Sequence, residues 1–173
     1  MKTLALVEPD ALHMRNAMGR FVTGVAVVTA AGSEHPEGMT INSMTSITLD
    51  PAVLMISLHH QTRTHDAIMA SGRFGLSILG VKQESVARRF ASHDEDKFAN
   101  EVFDHTESGI PLIARALVQT DCTVLQHASL GDHEVFFGHV EKLRYRNGEP
   151  LVFNAGHFGS YHDFGHDEMH WRF

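Results

Sequence analysis

Cysteine is almost absent: Cys122 is the only one in 173 residues. That excludes an internal disulfide and any metal site built from several thiolates. Positive charge is also scarce. Fourteen Lys and Arg stand against 21 Asp and Glu, a formal net charge of −7, which argues against a general nucleic-acid binder. No apolar run approaches the roughly 20 residues needed to span a bilayer, so no membrane association is expected. Residues 1–10 carry one Lys and no long apolar block, so no signal peptide is read there and the expected location is cytoplasmic. With five prolines and no low-complexity tract or repeat, nothing marks a linker, and residues 1–173 read as a single domain. Several catalytic signatures are missing too. There is no Gly-x-Ser-x-Gly, no His-Glu-x-x-His, and no Gly-x-Gly-x-x-Gly after a strand.

What is present centres on one stretch, from Gly38 to Pro51. Thr40, Asn42, Ser46 and Thr48 share one parity, while Ile41, Ile47 and Leu49 share the other. In extended backbone these sets face opposite sides. The apolar set is therefore expected in a core, and the hydroxyls and amide are left for a neutral, flat, hydrogen-bonding partner. An edge strand with a Ser/Thr-rich solvent face accounts for the same pattern. Ser43-Met44-Thr45 breaks the alternation and predicts a bend or bulge.

The rest of the chain reads as a mostly β domain with short inserted helices. Apolar spacing at Ala11, Met14, Met18 and Phe21 predicts a helix over about residues 9–20, with Pro9 in its first turn. Val25–Thr29 predicts a buried strand, turning antiparallel into the central stretch. Val53–Leu58, Phe74–Leu79, Ala116–Gln126 and Glu134–Arg146 are further strands. Thr62 or Thr64 caps a helix closed by Gly72, and Gln83–Ala91 is a second helix. Asn147-Gly148 predicts a hairpin returning through Leu151–Phe153. The tail, residues 158–173, is polar, aromatic and His-rich. Six or seven strands with hairpin connections point to an antiparallel barrel.

The loop Thr62-Arg63-Thr64 combines hydroxyls, a guanidinium and free helix N–H groups, which suits a phosphate. An ordinary capped helix explains it too and, for this loop alone, is the preferred reading. His133 follows a Gly-Asp turn, and Lys97-Phe98 sits in a charged loop. Cys122 reads as a buried small residue. His162, His166 and His170 have the spacing to share a helix face and bind a metal with Asp163 or Asp167. Packing or solvent roles are the preferred reading of that tail, and no metal is expected.

In order along the chain, these pieces resemble the short-chain flavin reductase family, the FMN-binding split-barrel reductases of two-component monooxygenases. The run Arg15–Thr29 is similar to the family's first helix and strand, and Gly38–Ser46 through Leu49-Asp50-Pro51 to its flavin-contacting strand and turn. Thr62-Arg63-Thr64 resembles its phosphate loop. Phe90-Ala91, Lys97-Phe98, Gly131-Asp132-His133, Phe137-Gly138-His139-Val140 and Pro150–Phe153 follow, so the likeness covers about residues 11–161. It departs at Ser77, where relatives commonly have Asn, and at His157, in a region where relatives vary.

The resemblance implies a six-stranded antiparallel Greek-key split barrel, forming a homodimer with flavin near the subunit interface. It implies hydride transfer from NADH or NADPH to FMN or FAD, and release of reduced flavin to a partner flavin-dependent monooxygenase. By position, Asn42, Ser43, Thr45 and Ser46 would contact the isoalloxazine and ribityl chain, and Thr62, Arg63, Thr64 and Lys97 the phosphate. Met44, Ser57, His59 and Phe98 complete the implied cofactor set, and His133 would lie beside the nicotinamide. A non-catalytic flavin binder, or an oxidoreductase with permanently bound flavin, fits the same barrel.

Overall fold

The computed structural model describes residues 6–94, 96–99 and 101–165. In chain order the elements are α1 (Ala11–Met18), β1 (Thr23–Gly24), β2 (Ala26–Ala30), β3 (Glu37–Ile41), β4 (Thr45–Leu49) and β5 (Ala52–His59). There follow α2 (Arg63–Ser71), β6 (Arg73–Ile78), α3 (Glu84–Ala91), β7 (Phe103–His105) and β8 (Pro111–Ile113). The last are β9 (Val118–Leu130), β10 (His133–Tyr145), β11 (Leu151–Asn154) and β12 (His157–Ser160).

Seven strands form one antiparallel sheet in the order β3-β2-β6-β9-β10-β5-β4. Its two edge strands, β3 and β4, are consecutive in the chain, joined only by residues 42–44. Counted as one interrupted strand, they give the six-stranded split barrel. The break expected around Ser43-Met44-Thr45 is thus larger than a bulge, because the chain leaves one edge of the sheet and joins the other.

β2 shows why the barrel closes where it does. All five of its residues are buried. On one parity Ala26, Val28 and Ala30 meet Ile56, Leu58, Phe74 and Phe136 inside the barrel. On the other, Val27 joins Val86, Ala87 and Phe90 of α3. A strand covered on both faces has no polar alternation to display. Each fully buried Phe, Leu or Ile contributes about 1.5–3 kcal/mol. α2 closes one end of the barrel with Ala67 and Ile68. Thr62 is its N-cap, accepting from the His65 amide at 3.3 Å, and Gly72 (φ 66°) ends it.

Three sequence expectations are corrected. α1 begins after Asp10, whose side chain accepts from the His13 amide at 2.7 Å; Pro9 lies outside it, and α1 buries no residue. Ile47 and Leu49 do not enter the core but stand 49% and 70% exposed on β4, because β4 is an edge strand of the sheet and no described residue covers these side chains. Asn147-Gly148 does not turn a hairpin: β11 pairs with β1 and β12, not with β10. The chain there crosses Leu117 so closely that a Cβ on Gly148 would sit 2.5 Å from Leu117 Cδ2, so the glycine serves a close crossing. The short β7–β8 ladder was not foreseen, since three-residue strands leave no periodicity to read.

Candidate functional site

The C-terminal half of β5 gathers five of the thirteen predicted residues. Thr45 pairs with Met55, so Ser43 falls opposite Ser57. There the Ser43 hydroxyl replaces a backbone partner, donating to Ser57 O at 2.8 Å and accepting from Ser57 N at 3.2 Å. It stitches the split in the barrel, which leaves it little capacity for a ligand. Two residues on, His59 pairs with His133 across the ladder, and their rings meet edge-on at 5.3 Å. Thr62 ties the next turn down by donating to His59 O at 2.9 Å. Ser43, Ser57, His59, Thr62 and His133 therefore form one neighbourhood.

His133 is held in a defined way. Its Nδ1 lies 2.6 Å from Asp132 Oδ1. A carboxylate only accepts, so Nδ1 is the donor, and in the neutral imidazole Nε2 carries the lone pair. The bond from His133 keeps the Asp132 carboxyl below its ordinary range. The neighbouring Glu134 points inward and is buried. Hydrogen bonds from Ser129 first, then His127, bring its pKa down to about 2.

A cationic end lies where β3 begins. Arg63 Nε is 3.3 Å from Glu37 Oε2, and Lys97 Nζ donates to Gly38 O at 3.4 Å and Phe90 O at 3.3 Å. Burial first, then the Arg63 charge, lowers the Lys97 pKa. Thr62 has its hydroxyl committed to the cap, and Thr64 is 3% exposed, so of the predicted loop Arg63 is the side chain on the surface. Phe98 packs into an aromatic cluster, with ring centroids 5.1 Å from Phe90 and 5.2 Å from Phe103.

At the other end of β3, roughly 17 Å away by strand rise, the groups are neutral. Asn42, Thr45 and Ser46 are exposed, and Met44 packs against the barrel core. The free edge of β4 adds unpaired backbone donors and acceptors. Two adjoining clefts, about 270 and 560 Å³, share Phe21, Thr23 and Asn42 among their walls. Thr23 Oγ1 is buried there with no hydrogen-bond partner among the described residues. Thr23 was missed by sequence reasoning, and a threonine beside Gly24 in an apolar run carries no local signal of it.

The remaining predicted positions are structural or lie elsewhere. Ser77 is buried and accepts from the Ile113 amide at 3.0 Å. His157 is exposed, with Nδ1 3.0 Å from Ala155 O. Cys122 is buried in the barrel core, and burial pushes its thiol up to about 12. His162 meets the Phe164 ring edge-on, whereas His166 and His170 lie outside the described residues.

The flavin reductase like domain family matches residues 18–162. The chain belongs to this flavin reductase family. Among curated relatives, an NADH-dependent flavin reductase of a Rhodococcus species is 38% identical, over 96% of this chain and 97% of that one. The reductase component of a 4-nitrophenol 4-monooxygenase/4-nitrocatechol 2-monooxygenase from Rhodococcus opacus is 35% identical, over 93% and 86%. A solved NADH:FAD oxidoreductase of Streptomyces globisporus, in complex with NAD and FAD fragments, superposes with a TM-score of 0.88 at 34% identity, covering 94% of this chain and all (100%) of that one.

The donor set suits the family's cofactor. A flavin pairs a flat neutral ring with an anionic phosphate, and β3 has neutral groups at one end and Arg63 and Lys97 at the other. The unpartnered Thr23 hydroxyl is the kind of buried group that a ligand satisfies.

Proposed function

We propose that this protein is an NAD(P)H:flavin oxidoreductase. It reduces FMN or FAD with a hydride from NADH or NADPH and releases reduced flavin to a partner flavin-dependent monooxygenase by diffusion. The observation that supports this best is His133, oriented by Asp132 and paired with His59 at the end of β5, two residues along that strand from the Ser43–Ser57 contact. The bound flavin supplies the two-electron acceptor. The chain's own residues bind and orient. With the flavin bound, Asn42, Thr45, Ser46 and Thr23 would hydrogen-bond the ring system, Met44 would offer it an apolar contact, and Arg63 and Lys97 would hold the phosphate. Thr62 and Thr64 shape the phosphate loop from within. His133 presents Nε2 to the nicotinamide, a positioning role, because a hydride leaves with no proton to remove.

We read the working form as a homodimer of one-domain chains acting in the cytoplasm. α1 buries nothing in the single chain. Leu12, Met18, Phe21, Ile47 and Leu49 are all exposed, and a second copy would cover such faces in a two-fold contact. The test of function is direct. The protein is mixed with NADH or NADPH and excess FMN, FAD or riboflavin, and the nicotinamide absorbance band is followed. Turnover is expected with at least one pairing, and none with any pairing refutes the reading.

A further inference from the structure

Behind the His133 turn lies a second cluster that the flavin chemistry does not use. Glu134, next in the chain, points the opposite way, and its side chain is only 4% exposed. Three elements converge on it. His60, just past the end of β5, places Nε2 3.2 Å from Glu134 Oε2. His127 of β9 sets Nδ1 on Oε1, and Ser129 donates to Oε2. From the first turn of α2, His65 brings its ring to 5.4 Å from that of His60. One ligating atom each from His60, His65 and Glu134 lie within 4.8 Å of one another.

We infer that His60, His65 and Glu134 form a binding site for a divalent transition cation, zinc above all. Two imidazoles and one carboxylate are the donor set of a borderline ion and suit neither magnesium nor calcium. Zinc bonds near 2.0–2.2 Å put tetrahedral ligand atoms about 3.3 Å apart, and the His60–Glu134 spacing already meets this. A cation between those two atoms takes the place of the proton they share. His65 is prepared as a ligand: Asp66 Oδ1 lies 2.8 Å from its Nδ1, so Nδ1 donates and Nε2 keeps its lone pair. A carboxylate behind a histidine orients ligands in this way at metal centres. His127 fixes the second carboxylate oxygen. His65 is mostly buried and His60 is about one-third exposed, which leaves a side for entry and a fourth position for water. The site is independent of the flavin reading.

The test uses the full chain, stripped with a chelator and titrated with zinc chloride against a chromophoric competitor. The expected result is one ion per chain, with affinity at least tenfold weaker in His60→Ala and in His65→Ala. A variant with His162, His166 and His170 all replaced by Ala should keep the site. Cobalt loading of the wild-type chain gives a reading that needs no variant: visible d–d bands of a four- or five-coordinate ion, bleached by zinc. The inference is overturned by failure of wild-type chain to take up one ion with such bands. It is equally overturned by unchanged affinity in both histidine variants, or by loss of binding in the tail variant.

Discussion

Replacing Arg63 by Ala separates the phosphate end of the site from the ring end, and the structure sets the size of the effect. A hydrogen bond to a charged group is worth about 1.5–3 kcal/mol. In the free chain, however, Arg63 is paired with Glu37 at 3.3 Å and is itself more than half exposed. Exposed pairs of that kind contribute about 0–1 kcal/mol, and binding a phosphate must disrupt or share the pair. The net loss on Arg63→Ala is therefore about 1–2 kcal/mol, or roughly five- to thirtyfold in the dissociation constant of FMN. Riboflavin has no phosphate and should change less than twofold. Glu37→Gln tests the same account from the other side. It frees the guanidinium and removes a negative charge from Lys97, so FMN affinity should rise by up to about fivefold. Titration calorimetry or quenching of flavin fluorescence reads all of these constants. Equal losses for riboflavin and FMN in Arg63→Ala, or no loss for either, would show that the guanidinium does not face the phosphate.

Four other outcomes follow from named contacts. His133→Ala should raise the NAD(P)H Michaelis constant or lower turnover and leave flavin affinity within twofold, because His133 is placed at the nicotinamide; steady-state kinetics beside a flavin titration checks this. Leu49→Lys puts a charge on the exposed apolar face of β4 and should shift the assembly toward a monomer of about 19 kDa by light scattering, with the chain's own fold intact. Glu134 is depressed from 4.5 to about 2, so the stability it provides is fully present above pH 4.5 and is lost as the pH falls toward 2; denaturant midpoints across that window should fall less steeply in Glu134→Gln. A Cβ on Gly138 would lie 2.4 Å from Phe74 Cζ and 3.2 Å from Cys122 Cβ inside the barrel, so Gly138→Ala should cost about 1–3 kcal/mol in chemical unfolding with no direct effect on either ligand.

What the sequence determined by itself was local. The unbroken apolar run of β2 announced a strand covered on both faces, and the Thr62-to-Gly72 interval carried both caps of α2. Cys122 read as buried, and it is. The ordered set of short motifs was sufficient for the family, because many weak patterns in one order are jointly specific even where each alone is not. Periodicity, however, reports which residues share a face, not what covers that face. Ile47 and Leu49 alternate like core residues, and only the sheet order shows that β4 is an edge strand on which no described residue covers them. Register decides chemistry in the same way. Ser43 read only as a ligand contact, and its position opposite Ser57 gives the hydroxyl a second task, completing a backbone ladder. Asn147-Gly148 carried the local signal of a hairpin, but the pairing of β11 with β1, residues far apart in sequence, set the path and left Gly148 to clear Leu117. Thr23, and the gathering of His60, His65 and His127 around Glu134, had no local signature at all. Both depend on strands distant in the chain arriving side by side, and long-range packing energy, absent from any short window of sequence, decides that arrival.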